Sequence, residues 1–495
     1  MSLADLMSGD LSDDDSEDDE DFDPTAPPED AVAPADFSKT ADSSNTATTN
    51  GSSARFGVPY EMGDSDEEID EDGEVDEGKE RVISDEILFS HERFFSPRLR
   101  DLLHGTLLGG DPASRTGLLT GVYPMLLHQT QSPHPERPAR IVAIYHEIIE
   151  QRLDARCKLV PVRAASEADL ALVHTREQVA KATAVYREDE KASAALGLDS
   201  DSYFAAADSG RAALLSAGSV VELATRVCHG ELRNALSVTR PPGHHCEHHQ
   251  AMGFCMLNNV CVAAAVARRQ HGISRVMIVD WDVHHGNGVQ HIFEEDPNVL
   301  YVSTHRFGEG FYPGTGHPSH VGVGAGVGTS VNVAFSGTEY GDTEYLAAFD
   351  RIIMPIAREY GPDLVLVSAG FDAAAGDPLG GMLVSPAGYA HMTAMLQTLA
   401  GGKIVVALEG GYNLRSISRS AAACLSVLLG EPAPQIARGA PKPQAMRDIE
   451  DALVALRPHW KVLQPPPPSL EERAMRRKRQ LKLKRLRGPW WYRYL

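Results

Sequence analysis

The feature that most restricts the fold is a regular alternation, from residue 116 onward, of short β-branched runs with longer Ala- and Leu-rich segments. Runs such as 276–279 are apolar at every position, which is typical of strands buried on both faces of a sheet. The alternation predicts an α/β fold with a central, mostly parallel sheet and helices on both faces. The predicted strands are 234–239, 275–280, 299–304, 329–334, 363–369 and 403–408, and the predicted helices are 208–228, 258–271, 341–360, 385–400 and 416–429.

Charge is concentrated at the ends of the chain. Residues 1–80 hold 27 acidic and 3 basic residues, which predicts a disordered acidic tail that either keeps the chain in solution or binds basic proteins. Residues 473–495 form a basic tail with ten Lys/Arg and no acid, and direct nucleic-acid binding is expected only there. Between the tails we predict a lead-in segment of uncertain structure at 81–115, a catalytic domain at 116–432, and a linker with a Pro-rich spacer at 433–472.

Composition also bears on the cellular compartment. No apolar stretch approaches the about 18 residues of a membrane span, so no membrane association is expected. The six cysteines are scattered without a C-x-x-C pair, which argues against a disulfide framework and a cysteine-built zinc site. The basic cluster at 476–479 is similar to a nuclear-import signal. We therefore predict the nucleus, with the cytoplasm as an additional compartment.

Side chains that bind metals or transfer protons follow directly after four of the predicted strands, at the edge where open parallel sheets place active sites. Asp280, Asp282 and His284 follow one strand, and Asp372 follows another. Asp282 and His284 are two residues apart and share a face of the extended chain, so they can bind one ion. Two carboxylates, one imidazole and an open position fit a catalytic zinc site, which polarises carbonyl groups and makes bound water acidic. The alternative is a set of buried polar residues satisfied by the backbone.

Other strand ends carry candidates for proton transfer and substrate binding. His244 and His245 follow a Pro-Pro-Gly bend, where a neutral imidazole can accept and return a proton near pH 7. Tyr412 lies beside two glycines and can donate its hydroxyl to a developing oxyanion. Phe254 and Tyr312 could form a narrow apolar slot for an extended alkyl chain, although spacing alone is equally typical of core packing.

These residues belong to long sequence motifs that resemble those of a known enzyme family. The motifs are His134-Pro135-Glu136-Arg137-Pro138, Arg240-Pro241-Pro242-Gly243-His244-His245, Gly253-Phe254-Cys255, Asp280-Trp281-Asp282-Val283-His284-His285-Gly286-Asn287-Gly288, Ser368-Ala369-Gly370-Phe371-Asp372, Gly376-Asp377-Pro378-Leu379-Gly380-Gly381 and Leu408-Glu409-Gly410-Gly411-Tyr412. With these motifs in this order, residues 116–432 strongly resemble the zinc-dependent histone deacetylases, whose fold is arginase-like α/β. Trp281 and Asn287 are the residues that class II enzymes usually carry at these positions. Tyr412 is present, as in the class IIb and fungal or plant class II enzymes, so the chain resembles that group most.

The resemblance implies a role for each matching residue. The implied zinc ligands are Asp282, His284 and Asp372. The implied catalytic residues are His244, His245, Tyr412 and Asp280. Among these, His245 would be general base and acid, His244 would assist electrostatically with support from Asp280, and Tyr412 would polarise the acetyl carbonyl. Asn287 cannot serve as an anionic partner of His245, and Tyr312 replaces a more usual Phe.

The resemblance also implies residues that contact the substrate. The implied channel residues are Gly253, Phe254, Tyr312 and Leu379. Asp201 and Ser202 resemble the rim segment that holds the substrate backbone. Potassium is usual in the family, and Asp280 and Ser303 would contribute to its site.

The implied function is zinc-dependent removal of acetyl groups from lysine side chains of histones or other proteins, in transcriptional repression and chromatin regulation. The implied partners are the acetylated protein substrate and a corepressor complex. Two other functions stay open. One is deacetylation of acetylated polyamines, whose enzymes place an acid at the channel mouth where this chain has Leu379. The other is a non-enzymatic scaffold that recruits partners through its tails.

Overall fold

The computed structural model of the chain describes residues 95–183 and 206–465, except 108, 130–133, 309 and 438, together with 475 and 477–480. The acidic segment 1–80, most of the basic tail, and Asp201 and Ser202 lie outside the described residues, so the predictions made for them stay predictions.

A single sheet of eight strands forms the centre of the described part of the chain. The strands are β1 Thr116–Thr120, β2 Lys158–Pro161, β3 Asn234–Ser237, β4 Val276–Asp280, β5 Val299–Arg306, β6 Ser330–Phe335, β7 Leu364–Ala369 and β8 Ile404–Leu408. Their order is β2-β1-β3-β8-β7-β4-β5-β6, and every neighbouring pair is parallel. Every residue of β1, β3, β4, β6, β7 and β8 is buried, which requires cover on both faces. The predicted α/β fold is confirmed.

Helices lie before, between and after the parallel strands and provide that cover. They are α1 Pro97–His104, α2 Ala139–Glu150, α3 Glu167–Leu170, α4 Arg176–Thr183, α5 Ala206–Cys228, α6 Asn259–Gln270, α7 Asn287–Phe293, α8 Asp342–Ala348, α9 Met354–Tyr360, α10 Pro386–Leu396, α11 Leu414–Leu428 and α12 Pro443–Leu456. The segment predicted as one helix at 341–360 is divided, because the π-helical turn Phe349–Ile353 separates α8 from α9. Pro355 lies at the start of α9 and has no N–H for the regular helical ladder. No described helix is long and apolar enough to cross a membrane.

The strand order brings the site residues together. β3, β8, β7 and β4 are consecutive in the sheet, and their carboxyl ends lie at one edge. In register, Asp280 at the end of β4 pairs with Ser368 on β7 and with Ser303 on β5. The segments that follow these four strands carry the predicted ligands, the two adjacent histidines and the tyrosine.

The packed core includes segments on both sides of 116–432. At the N-terminal side, α1 buries Leu99, Leu102 and Leu103. At the C-terminal side, α12 lies against β6, where Asp448 accepts hydrogen bonds from the Ser336 backbone N–H and hydroxyl at 2.9 and 2.8 Å. The predicted linker at 433–472 therefore contains a helix that is part of the core.

Truncation of Trp460 is expected to measure how much this segment stabilises the domain. The side chain is buried, packs near Tyr360 and donates from Nε1 to the carbonyl of Gly328 at 2.9 Å. We expect Trp460→Ala to lower the free energy of unfolding by about 3 kcal/mol in urea denaturation. Val462 is 49% exposed, so Val462→Ala should change it by less than about 0.5 kcal/mol. Equal, small effects of both variants would show that the segment does not stabilise the fold.

Candidate active site

Two loops that follow neighbouring strands form a cluster of three candidate metal ligands. Asp282 and His284 come from the loop after β4, and Asp372 comes from the loop after β7. One atom from each of the three lies within 4.8 Å of the others. His284 Nδ1 is 3.1 Å from Asp282 Oδ1 and 3.1 Å from Asp372 Oδ2, so both carboxylates face the same ring nitrogen.

Backbone N–H groups hold the Asp282 and Asp372 carboxylates in place, and two glycines without Cβ atoms leave room for them. The N–H groups of Val283 and His284 donate to Asp372 Oδ1 and Asp282 Oδ1 at 2.7 and 2.9 Å. A Cβ atom at Gly370 would collide with the Asp282 carboxylate, and one at Gly410 would collide with both carboxylates. Glycine is therefore required at these two positions for the cluster to form.

The electrostatics of the cluster favour a positive charge at its centre. Burial opposes charge on His284, but hydrogen bonds to Asp282 and Asp372 outweigh burial and raise its pKa to about 9. Burial and the neighbouring Asp282 raise the pKa of Asp372 to about 7. A divalent cation held by the same three side chains would stabilise both carboxylates, and two oxygens with one imidazole nitrogen are suitable ligands for zinc. The residues present therefore fit the predicted metal.

The two adjacent histidines have different partners. His244 Nδ1 lies 3.1 Å from Asp280 Oδ2, and its Nε2 lies 3.7 Å from Asp282 Oδ2. Burial opposes charge on this ring, but the two carboxylates outweigh burial and raise its pKa to about 10. The two carboxylates therefore favour the protonated form of His244.

His245 is the neutral member of the pair. Its Nδ1 lies 2.8 Å from the side-chain oxygen of Asn287. Burial, and then the charge on His244, hold the pKa of His245 well below its usual value. An imidazole that donates from Nδ1 has a free lone pair on Nε2 and can accept a proton there.

Tyr412 follows β8 and presents a protonated phenol. Burial raises the pKa of its hydroxyl well above the usual value, so the group remains a hydrogen-bond donor. Its ring lies 6.1 Å from Phe254 between centroids, and the Arg140 guanidinium carbon lies 5.2 Å from the ring centroid. Its backbone N–H donates to Asp377 Oδ2 at 2.7 Å.

A cavity of about 260 Å³ connects these groups with the surface. Its lining contains the four predicted channel residues together with both histidines, His284 and Tyr412: Pro242, His244, His245, Gly253, Phe254, His284, Phe311, Tyr312, Leu379, Gly410 and Tyr412. Leu379 is 40% exposed, which places it at the mouth. A Cβ atom at Gly253 would lie within 3 Å of both the His245 ring and the Tyr312 hydroxyl, so only glycine fits between them.

Several residues that shape the site were not predicted as site residues. Glu409 Oε2 accepts the backbone N–H groups of Gly243 and His244 at 2.6 and 3.1 Å, which fixes the start of the histidine pair. Asp377 accepts the N–H of Leu379 at 2.9 Å with one oxygen and the N–H of Tyr412 with the other. Both acids lie in motifs quoted above, but the Glu409 contacts and the contact of Asp377 with Tyr412 are with backbone groups distant in the sequence. Phe311, next to Tyr312, stacks on His284 at 5.1 Å between ring centroids.

A candidate metal-ligand cluster beside two adjacent histidines, at the carboxyl edge of a parallel sheet, is typical of the active site of a hydrolase. Residues 134–428 match the family model described as the histone deacetylase domain. The chain therefore belongs to the histone deacetylase family, and its class II character is confirmed by the relatives that it matches.

Three curated relatives illustrate the similarity. Polyamine deacetylase HDAC10 from Homo sapiens is 43% identical over 335 residues, which cover 66% of this chain and 50% of the relative. Histone deacetylase clr3 from Schizosaccharomyces pombe is 43% identical over 357 residues, 69% of this chain and 52% of the relative. Histone deacetylase 15 from Arabidopsis thaliana is 48% identical over 313 residues, 62% of this chain and 55% of the relative. The chain thus spans about half the length of these relatives.

A solved structure extends the similarity to three dimensions. The crystal structure of the HDA15 HD domain is 44% identical in sequence and superposes with a TM-score of 0.65. The match covers 71% of this chain and 96% of that domain.

Proposed function

We propose that this protein is a zinc-dependent deacetylase of acetylated lysine side chains in histones or other proteins. The observation that carries the proposal is that a metal-ligand cluster, a neutral histidine and a protonated tyrosine meet at one cavity. Asp282, His284 and Asp372 would hold the zinc ion, which would polarise the acetyl carbonyl and make a water molecule acidic when bound.

The residues of the chain would perform the proton transfers. His245 Nε2 accepts a proton from the attacking water, because its Nδ1 is already used as a donor to Asn287. The Tyr412 hydroxyl donates a hydrogen bond to the acetyl oxygen as negative charge develops there. His245 then returns its proton to the departing lysine amine. The positive charge of His244, held by Asp280, favours the negative charge that forms nearby.

The shape of the cavity agrees with an acetylated lysine. Phe254, Phe311 and Tyr312 give it aromatic walls, which suit the four methylene groups of a lysine side chain, since these carry no polar atoms. Asp280 and Ser303 are register partners on β4 and β5, and we retain them as a proposed potassium site.

Incubation of the purified full chain with zinc and acetyl-lysine peptides tests the proposal. The expected products, measured by mass spectrometry, are the free lysine peptide and one acetate per peptide. Chelation should stop the reaction and added zinc should restore it. Failure to hydrolyse any member of a broad acetyl-lysine peptide library would contradict the proposal.

Acetylated polyamines are the second candidate substrates, because one relative is named a polyamine deacetylase. Such substrates are cationic, whereas the mouth of this channel carries the apolar Leu379. We expect Leu379→Glu to raise kcat/KM for an acetylpolyamine about 5-fold, the effect of one partly exposed ion pair. We expect no such gain from Leu383→Glu, a matched control at a 50% exposed leucine that does not line the cavity. A wild-type preference for the acetylpolyamine over acetyl-lysine peptides would favour this second function.

We further propose action on chromatin in the nucleus, in transcriptional repression with a corepressor complex. The support is the basic composition of 473–495 and the names of the histone deacetylase relatives. Imaging of the chain with and without 473–495 measures the contribution of this tail to nuclear import.

A further inference from the structure

The neutral partner of His245 is itself hydrogen-bonded to a carboxylate. Asn287, at the start of α7, accepts from His245 Nδ1 with its side-chain oxygen. Its side-chain nitrogen lies 2.6 Å from Glu247 Oε1. The three side chains form a continuous hydrogen-bonded chain from the imidazole through an amide to an acid.

The surroundings of Asn287 determine which way its amide points. The amide nitrogen has three acceptors around it, because the His245 carbonyl lies at 3.2 Å and the Met252 sulfur at 3.4 Å in addition to Glu247. A reversed amide would place its oxygen against the Glu247 carboxylate and the His245 carbonyl. The observed orientation is therefore the stable one, and it requires a proton on His245 Nδ1.

Glu247 is in a setting that keeps it negatively charged. Its side chain is 14% exposed and also accepts from His291 Nδ1 at 2.9 Å. Burial opposes ionisation, but the hydrogen bonds from His291 and Asn287 outweigh it and lower the pKa of the carboxyl group. The Glu247 carboxylate therefore favours its charged form and lies on the far side of the Asn287 amide from His245.

We propose that Glu247 is a positioning residue of the deacetylation reaction and acts through Asn287 as the anionic partner of His245. A carboxylate that accepts from an amide N–H polarises the amide and makes its oxygen a stronger acceptor. The imidazolium formed when His245 accepts a proton is thereby stabilised, although the residue that contacts it is neutral. This inference rests on the proposed function.

Removal of the negative charge at Glu247 tests the inference. Glu247→Gln keeps the size of the side chain, and we expect it to lower kcat for an acetyl-lysine peptide about 10-fold, with KM changed by less than about twofold. Glu295 is exposed shortly after the end of α7, and Glu295→Gln, which removes the same charge elsewhere, should leave both constants unchanged. Thermal unfolding and zinc content should be the same in all three proteins.

A second background separates this role from a purely structural one. Asn287→Asp supplies a carboxylate directly to His245 and places its second oxygen against Glu247. When combined with Asn287→Asp, Glu247→Gln should therefore raise kcat by at least about threefold, because it removes one of two adjacent like charges and its amide can donate to the other carboxylate. If Glu247 had only a structural role, Glu247→Gln would lower kcat by the same factor in the wild-type protein and in the Asn287→Asp protein.

The outcomes are distinguishable. An active wild-type enzyme with an unchanged kcat in Glu247→Gln, or an equal loss in both backgrounds, overturns the inference and leaves the proposed function intact. A folded but inactive Asn287→Asp protein also overturns it. If Asn287→Asp does not fold, Glu247→Gln alone decides: a lower kcat with unchanged KM, thermal unfolding and zinc content supports the inference, and a loss accompanied by altered unfolding or zinc content overturns it. A wild-type protein without activity on acetyl-lysine peptides overturns the proposed function, and this inference with it.

Discussion

The Asp372→Asn protein is expected to lose stoichiometric zinc and at least about 1000-fold in kcat on acetyl-lysine peptides. The introduced amide would keep the shape of the side chain, and its oxygen could still accept the Val283 N–H, as Asp372 Oδ1 does at 2.7 Å in the wild type. The substitution removes one of the two negative charges that face His284 Nδ1. Because charge, and not shape, is changed, the variant should fold normally, and elemental analysis beside steady-state kinetics measures both effects.

A matched control removes a carboxylate of the same type elsewhere. Asp451 is exposed on α12, and Asp451→Asn should retain full zinc content and full activity. Zinc at one equivalent together with near-normal kcat in Asp372→Asn would show that Asp372 is not a ligand. Hydrolysis that persists after complete chelation would contradict the metal-dependent mechanism as a whole.

The next largest effect is expected from the two residues that act on the acetyl group. Tyr412→Phe should lower kcat at least about 100-fold, because it removes the only atom that can donate to the developing oxyanion from this side chain. The ring contacts with Phe254 and Arg140 need no hydroxyl, so folding and zinc content should not change. His245→Ala should lower kcat by at least about 100-fold through loss of proton transfer.

Steady-state kinetics on one acetyl-lysine peptide measures both variants. Tyr360→Phe is a suitable control, since Tyr360 ends α9 and its hydroxyl contacts only the Pro297 carbonyl, at 3.4 Å, among its described hydrogen bonds. This control should be fully active. Near-normal turnover of both Tyr412→Phe and His245→Ala would refute the proposed roles.

The sequence predicts most of the sheet because the central strands contain nearly continuous apolar runs, such as 276–279 and 404–408. β4 and β7 are buried along their whole length. A strand with one face in solvent would alternate apolar and polar residues, so a continuous apolar run indicates a strand covered on both faces. β1 and β2 are not among the predicted strands, because Thr and Gly in β1 and Lys and Pro in β2 leave only two consecutive large apolar residues in each. These runs are not distinguishable from a loop by pattern alone.

Helix α12 could have been predicted from the helical spacing of its apolar residues. Ile449, Leu453 and Leu456 are buried and follow an i, i+4, i+7 spacing. The proline-rich segment after α12 favours the interpretation of 433–472 as a linker. An apolar stripe on a helix, however, is stable in water only when it packs against another apolar surface. A stripe of this kind beside a spacer is better predicted as a docked helix.

The members of the site are predictable from strand ends, whereas their mutual contacts are not. Parallel strands end at one edge, which is sufficient to expect Asp282 and Asp372 near each other. The order of strands decides that β4 and β7 are neighbours, and no local pattern encodes this order. The contact between Glu247 and Asn287 spans 40 residues, and its meaning depends on the direction of one amide group.

The Asp377 carboxylate is hydrogen-bonded to backbone groups at both the entrance and the inner end of the channel. Asp377 receives the Leu379 N–H at the mouth with one oxygen and the Tyr412 N–H with the other. We therefore expect a change in the backbone of the entrance loop to shift the backbone that carries the Tyr412 phenol. Side-chain replacement at the entrance leaves this backbone in place, so we expect it to alter substrate selectivity with less loss of turnover than an insertion in the same loop.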